Sequence, residues 1–407
     1  DGLDIIDVSD LANPTLTGNI NTSGLAYDVT LSADGKTAFV ADHSGGLDII
    51  DVSELFANGD ASVATSPSLT GTYDTSGSAY DVILSADGNT AFVADRDSGL
   101  QIIDVSNHAS PSLTATLDTS GEAYEVTLSA DNDTVYVADG SGGFRIIDVS
   151  NPASPSLTAT LDTDYDHHGV TISADGNTAF VGGYESGLHI IDISNPASPS
   201  LTATLDTFGY SDGVTLSADG NTAFVADRGG GLRIMDVSNK ASPSLTSTLD
   251  PSGSSYAVTL SADGNIAFVA NSTDLHIMDV SNPASPSLIE TYNNPGTAYG
   301  VTLSADGNTA FVADGSSGLQ IIDVGYSQYF SDSSDTLSIE VDGTSPTFSS
   351  AATNTAGTKV ILAYNEALSA TTAATNAFDV TSGGVSNSVT AATVSGSTVE
   401  LTLTTAV

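Results

Sequence analysis

The chain has 407 residues, enough for one large repeat domain and a small second one. Seven Lys and Arg stand against fifty Asp and Glu, a formal charge of −43; nucleic acid and anionic membrane surfaces are excluded as partners because their phosphates would be repelled, and life in salt or binding of divalent cations is favoured. With no cysteine there is neither a disulfide nor a thiolate metal site, and the longest apolar runs, such as Ala91-Phe92-Val93-Ala94, fall far short of the roughly 20 residues of a membrane span, so no membrane insertion is expected.

The sequence opens at Asp1 inside a repeat, with no initiator Met or signal peptide, and reads as a piece of a longer chain. The repeated phrase is Gly-Leu-x-Ile-Ile-Asp, from Gly2–Asp7 to Gly318–Asp323. Its aspartates are residues 7, 51, 104, 148, 192, 236, 279 and 323, at intervals of 44, 53, 44, 44, 44, 43 and 44. A period of forty-odd residues marks a propeller or solenoid.

Each repeat reads as four strands. In the third they are Tyr124–Ser129 (A), Val135–Ala138 (B), Phe144–Val149 (C) and Ser156–Leu161 (D). The A–B turn is usually Ala-Asp-Gly-Asn, where glycine supplies a positive φ. The C–D link, Ser150–Pro155, is a loop, because proline cannot donate to a sheet ladder. The Ile-Ile pairs make strand C apolar on both faces, as a strand covered on both faces must be. The Asp that follows each pair is expected to cap the next Ser-Asn-Pro turn.

Strands A and B recur seven times, with turns at Asp34, Asp87, Asp131, Asp175, Asp219, Asp263 and Asp306, whereas strand C recurs eight times. The expected fold is all-β: a seven-bladed β-propeller over residues 1–324, closed by an N-terminal strand D near Thr15–Asn21 beside Leu319–Val324. That leaves Leu3–Val8 without a place, and eight blades are the alternative. The first C–D link, Ser53–Pro67, is nine residues longer than its equivalents; its Leu55 and Phe56 are read as a pad over the blade's edge. Residues 325–343 read as a linker. Residues 344–407 carry short strands, among them Lys359–Tyr364 and Val399–Leu403, expected to form an Ig-like β-sandwich that is partial at about 64 residues.

The phrase Gly-Leu-x-Ile-Ile-Asp-Val-Ser-Asn-Pro-Ala-x-Pro, preceded by Ala-Phe-Val-Ala-Asp, resembles the LVIVD repeat family over residues 1 to about 324. The resemblance implies a β-propeller of bacterial and archaeal secreted or surface proteins, mostly without assigned activity. Pro346–Ala351, Tyr364–Leu368 and Val394–Val399 resemble the repeated Ig-like modules of giant cyanobacterial cell-surface proteins, including the type needed for swimming motility. Neither family supplies a catalytic motif.

In a propeller the D–A and B–C loops share one rim. Here they vary between repeats, as at Asp164–His168, Phe208–Tyr210 and Arg96–Ser98, while the other rim's turns are near copies. His167 and His168 with Asp164 and Asp166 suggest a metal site, but adjacent residues on a strand point to opposite faces, and a His replacing Tyr at a half-buried position is favoured. His43, His108, His189 and His276 show no repeat logic. An acidic arc is the other candidate: Asp28, Asp81 and Glu125 start strand A, Asp42, Asp95 and Asp139 end strand B, and the two sets are expected to lie opposite or nearly opposite each other. Calcium, with its six to eight oxygen ligands, is the cofactor such an arc would take. The expected function is a non-enzymatic extracellular or cell-surface structural or adhesion module of a larger surface or appendage protein. Its expected partners are other copies, other surface proteins or extracellular glycans. The alternative is a calcium-dependent hydrolase of the lactonase or phytase kind.

Overall fold

Short alternating segments punctuated by Asp-Gly turns give four antiparallel strands per repeat. In the computed structural model the described residues are 5–6, 19–53, 67–163, 165–207, 209–305, 307, 309–323, 338–341, 348–353, 359–364, 378–382, 385–387, 389–395 and 398–403. No α-helix occurs among them; a 3-10 turn spans Arg228–Gly230. The chain divides into two units, Asp1–Ser327 and Gln328–Val407.

The first unit holds seven sheets among the described residues. In the third, Glu125–Leu128, Thr134–Ala138, Phe144–Asp148 and Ser156–Leu161 follow one another. The hairpin turns rest on a small hydrogen-bonded knot. In the second sheet the Ser85 hydroxyl donates to Asp87 Oδ1 at 2.6 Å, Asn89 N–H donates to the same oxygen, and Gly88 has φ +70°. The aspartate after each Ile-Ile pair caps its turn as expected: Ser106 N–H donates to Asp104 Oδ1 at 3.0 Å, and Ser150 N–H to Asp148 Oδ1 at 2.9 Å.

The paired isoleucines serve both neighbours. Ile103 packs with Phe39, Leu47 and Ile49 of the first sheet, while Ile102 packs with Val126, Val137 and Ile147 of the third. Each fully buried isoleucine contributes about 1.5–3 kcal/mol, and neither contribution exists in an isolated repeat. Backbone bridges join successive sheets, at His43 with Ala79, Arg96 with Ala123, Gly140 with His167, and Tyr184 with Ser211. The seventh sheet meets the first through the Ala26–Gly315 bridge, and Phe311 and Ala313 share a core with Ala26 and Val29. The sheets thus close into a propeller.

Two N-terminal segments pair with the last strand, Leu319–Asp323. Asn19–Ile20 runs antiparallel to it, opposite Gln320 and Leu319. Ile5–Ile6 runs parallel to it, opposite Ile321 and Ile322, so this part of Leu3–Val8 adds to the seventh sheet. Leu55 and Phe56 of the long link lie outside the described residues, as does Asp306.

The second unit has two antiparallel sheets. One joins Ser338–Val341, Phe378–Ser382 and Val385–Asn387; the other joins Phe348–Thr353, Lys359–Tyr364, Thr398–Leu403 and Val389–Ser395. Val360, Leu362, Val399, Leu401 and Leu403 are buried. Ser338–Val341 falls inside the segment expected to be a linker but pairs with Phe378–Ser382.

Candidate functional site

The innermost strands surround a channel with a cavity of about 430 Å³ at its mouth. Each sheet contributes the residue just before the body of strand A. In five sheets this is a tyrosine: Tyr27, Tyr80, Tyr124, Tyr256 and Tyr299. In the fourth and fifth it is His168 and Asp212. The rings form a collar: Tyr27 stacks on Tyr299 at 4.2 Å and lies 4.3 Å from Tyr80, and His168 sits between Tyr124 at 4.0 Å and Tyr184 at 4.3 Å. Where the tyrosines give way, a hydrogen-bonded trio takes over. His168 Nδ1 lies 3.0 Å from Asp212 Oδ1, and the Arg228 guanidinium donates to Asp212 Oδ2. Burial and the hydrogen bonds to Tyr80 and Tyr299 push the Tyr27 hydroxyl up; burial and Glu122 do the same to Tyr124.

Loop geometry places several of these side chains. The first residue of the B–C loop is left-handed in successive sheets: His43 has φ +45°, Arg96 +38°, Gly140 +51° and Tyr184 +42°. Left-handed non-glycine residues are uncommon and cluster at functional sites. His43 stacks on Tyr27 at 5.3 Å, and Arg96 lies over Tyr80 at 5.6 Å and pairs with Glu122 at 3.1 Å. Arg96 lies in one of the loops whose variation marked this rim; Arg228 and Tyr184, also on B–C loops, carry no other signal in the sequence.

One residue deeper stand Asp28, Asp81 and Glu125, which three later sheets replace with Gly169, Gly213 and Gly300 and one with Ala257. Glycine is required there by close approach. A Cβ on Gly169 would meet the Asp212 carbonyl oxygen, and one on Gly300 would lie 2.7 Å from that of Tyr27. On the acidic half each carboxylate reaches to the next sheet: Val126 N–H donates to Asp81 Oδ2 at 2.7 Å, Val170 N–H to Glu125 Oε1 at 3.1 Å, and Val82 N–H to Asp28 Oδ2 at 3.4 Å. These groups keep some surface toward the lumen yet lie deep in the ring. Burial raises Asp28 above the usual carboxylate range. Burial and the charges of Asp28 and Glu125 raise Asp81 well above it. Burial, then the charges of Asp28 and Asp212, brings Glu125 to about 8.

The second set of acids lies one residue off direct pairing with the first. Asp28 pairs with Ala41, Asp81 with Ala94 and Glu125 with Ala138. Asp42, Asp95 and Asp139 lie one residue further on, and alternation turns their side chains away from the channel into their own sheets. There they tie the D–A loop. Asp95 accepts from the Thr75 hydroxyl at 2.6 Å and Gly77 N–H at 2.8 Å, and Asp139 accepts from Thr119 and, at 2.9 Å, from Arg145 Nε. The six acids therefore make no single calcium cage. Among the described residues no three His, Asp or Glu side chains are grouped to hold a metal.

His167 and His168 diverge as alternation requires. His168 faces the channel, with Asp166 also at the mouth, while Asp164 lies outside the described residues. His167 is fully buried within its sheet, with Nε2 3.1 Å from His189 Nδ1 and 2.8 Å from the Thr163 hydroxyl.

Comparison with known proteins agrees with this architecture. The LVIVD repeat matches residues 1–22, 23–75, 76–119, 120–163, 169–207, 209–250, 254–294 and 295–340. The chain belongs to the LVIVD repeat family. Residues 341–407 match a family described as "Putative flagellar system-associated repeat". No curated protein matches the sequence. Among solved structures, the LVIVD chain is similar to the Kuenenia stuttgartiensis hydrazine synthase (15% identity, 75% of this chain and 97% of that one, TM-score 0.59). It is also similar to the Cps50 (Swd1) β-propeller domain of Myceliophteria thermophila (14%, 76% and 99%, TM-score 0.61). A third is a "putative 6-phosphogluconolactonase" from Bacteroides fragilis (14%, 70% and 89%, TM-score 0.58). At such identities these similarities speak for the fold alone.

Proposed function

We propose that this LVIVD chain is a non-enzymatic structural or adhesion module of a larger extracellular or cell-surface protein. The observation that carries the reading is the use made of the channel carboxylates. Asp28, Asp81 and Glu125 each accept a backbone N–H from the next sheet, so they clasp the ring together. A general base would need a free, correctly placed oxygen. The similarity of residues 341–407 to a repeat associated with flagellar systems supports a place on a surface or appendage. Partners of such a module are other copies, other surface proteins or extracellular glycans, whose sugar faces and hydroxyls suit a collar of tyrosines and carboxyl groups.

A calcium-dependent hydrolase is the second reading, favoured by His168, Asp212 and Arg228 meeting beside the carboxylates at one mouth. The test has two arms. Antibody labelling of intact source cells should detect the chain, and a panel of lactones, phosphate esters and glycosides should give no turnover. Labelling only after lysis, or a turnover abolished by His168→Ala or Asp212→Asn, would overturn the proposal.

A further inference from the structure

One position pair recurs in the sheets: the residue that ends strand B, and the one six places on, in strand C. In the third and fifth sheets it is an ion pair. Arg145 Nε donates to Asp139 Oδ2, and Arg233 Nε to Asp227 Oδ2, both at 2.9 Å. Each guanidinium also bonds a strand D threonine, Thr160 at 3.2 Å and Thr248 at 3.0 Å. The second sheet has Asp95 with Gln101, whose amide bonds the Ser98 carbonyl at 3.1 Å and the Thr116 hydroxyl at 2.7 Å. The fourth has Gly183 with His189.

The first sheet breaks the pattern by placing an acid at both positions, Asp42 and Asp48. Both are buried, at 0% and 2% exposure. Oδ1 of each lacks a hydrogen-bond partner, while Asp42 Oδ2 accepts from Gly24 N–H at 2.5 Å and the Ser23 hydroxyl at 3.3 Å; the Thr22 hydroxyl is buried beside Asp42. Thr22 is the counterpart of Thr75 and Thr119, which donate to Asp95 and Asp139. Guanidinium nitrogens of Arg145 and Arg233 adjoin Gly142 and Gly230, but the nearest atoms to the equivalent Gly45 belong to Asp42 and Ser23. Two buried carboxylates, each with an unpartnered oxygen, thus stand where the third and fifth sheets hold a carboxylate and a cation. Buried carboxylates without a counter-charge are costly, and so are buried polar atoms without partners.

We propose that a hard divalent cation of the calcium class binds between Asp42 and Asp48, with Thr22 as a further oxygen ligand, replacing the guanidinium of the sister sheets. The donors are all oxygen, which selects calcium over zinc or copper. The irregular set, completed by carbonyls and water, suits calcium's flexible six-to-eight coordination better than magnesium's strict octahedron. The site is separate from the channel and independent of the function proposed above.

The test uses the full chain above neutral pH, with calcium or chelator. Calcium alone is the probe, read by equilibrium dialysis and by thermal melting. Binding to the native state must raise the midpoint. Wild type is expected to melt several degrees higher in calcium. Asp48→Arg rebuilds the sister ion pair, and should melt at one midpoint in calcium and chelator while binding one ion fewer. Asp48→Asn, a nearly isosteric change that keeps the fold if arginine does not fit, should likewise lose one ion and the calcium shift. If wild type neither binds calcium nor shifts, the two acids share a proton and the proposal falls. It falls equally if Asp48→Asn retains the wild-type stoichiometry and shift.

Discussion

Asp28 and Asp81 face the same channel from neighbouring sheets, Asp28 accepting from Val82 N–H at 3.4 Å and Asp81 from Val126 N–H at 2.7 Å. Asp81 is raised well above the usual range by burial and by the charges of Asp28 and Glu125. A carboxyl whose folded-state pKa is raised binds its proton more tightly folded than unfolded. Its stabilising effect is full below the unfolded value near 4 and is lost as pH rises through the folded value. The same sign holds for Glu125, at about 8. The melting midpoint should therefore fall between about pH 5 and pH 9. Asp81→Asn supplies an amide donor to Asp28 at every pH, so it should melt above wild type at the alkaline end, with a shallower slope. Parallel profiles for the two proteins would refute the raised Asp81 carboxyl as the source of the slope.

The Asp139–Arg145 pair gives a second prediction. The Asp139 carboxylate is fully buried and the arginine side chain is 11% exposed. Arg145→Ala removes one partner and leaves the other charge buried, at a cost of about 3–5 kcal/mol. Burial, offset by Thr119 and Arg145, already brings Asp139 to about 6, so without the arginine it should take up a proton near neutrality. The loss should be largest at alkaline pH, and Asp139→Asn in the same chain should restore much of it. Denaturant midpoints of the two variants against wild type decide this.

Much of the fold was legible because its signals are local. The Ile-Ile pairs announced strands covered on both faces, and Ile102 and Ile103 do pack against different neighbours. The acidic arc was half legible. Asp28, Asp81 and Glu125 do meet in one channel, but Asp42, Asp95 and Asp139 lie one residue off direct opposition, and one residue turns a side chain to the other face. His189 looked scattered because its position changes chemistry from sheet to sheet, through Asp48, Gln101, Arg145 and Arg233. Only the B–C turn, which brings residues six apart side by side, shows these to be one site.

The core offers a third prediction. Phe180 is fully buried and joins the fourth sheet to the fifth, against Val214, Val225 and Met235. Truncating a buried phenylalanine costs about 3–5 kcal/mol. Because each sheet is stabilised mainly by its neighbours, Phe180→Ala should loosen the fourth and fifth sheets first. Amide exchange resolved along the chain should show faster exchange in 169–249 than in 81–117, and a uniform increase would argue against neighbour-limited coupling.

The buried imidazoles of His167 and His189 give the last prediction. Burial lowers both below the ordinary histidine value of 6.5, and the charge of His167 helps bring His189 to about 4. A histidine with a depressed folded-state pKa binds its proton more tightly when unfolded. Its contribution is full above about 6.5 and is lost as pH falls toward about 4, the opposite sign to Asp81. For His189 alone the loss is of order 3 kcal/mol at the acid end. The effect should be local, because the pair is enclosed by Thr163, in the loop leading into the fourth sheet, and Ser186, in that sheet's B–C loop. Amide exchange of 169–205 should therefore quicken on moving from about pH 7 to pH 5, after correction for intrinsic rates, while that of 81–117 should not. His167→Ala with His189→Gln installs the alanine and glutamine found at the equivalent positions of the second sheet, Ala79 and Gln101. That variant should lose the acid-induced exchange in the fourth sheet, and an unchanged response would place the sensitivity in other groups.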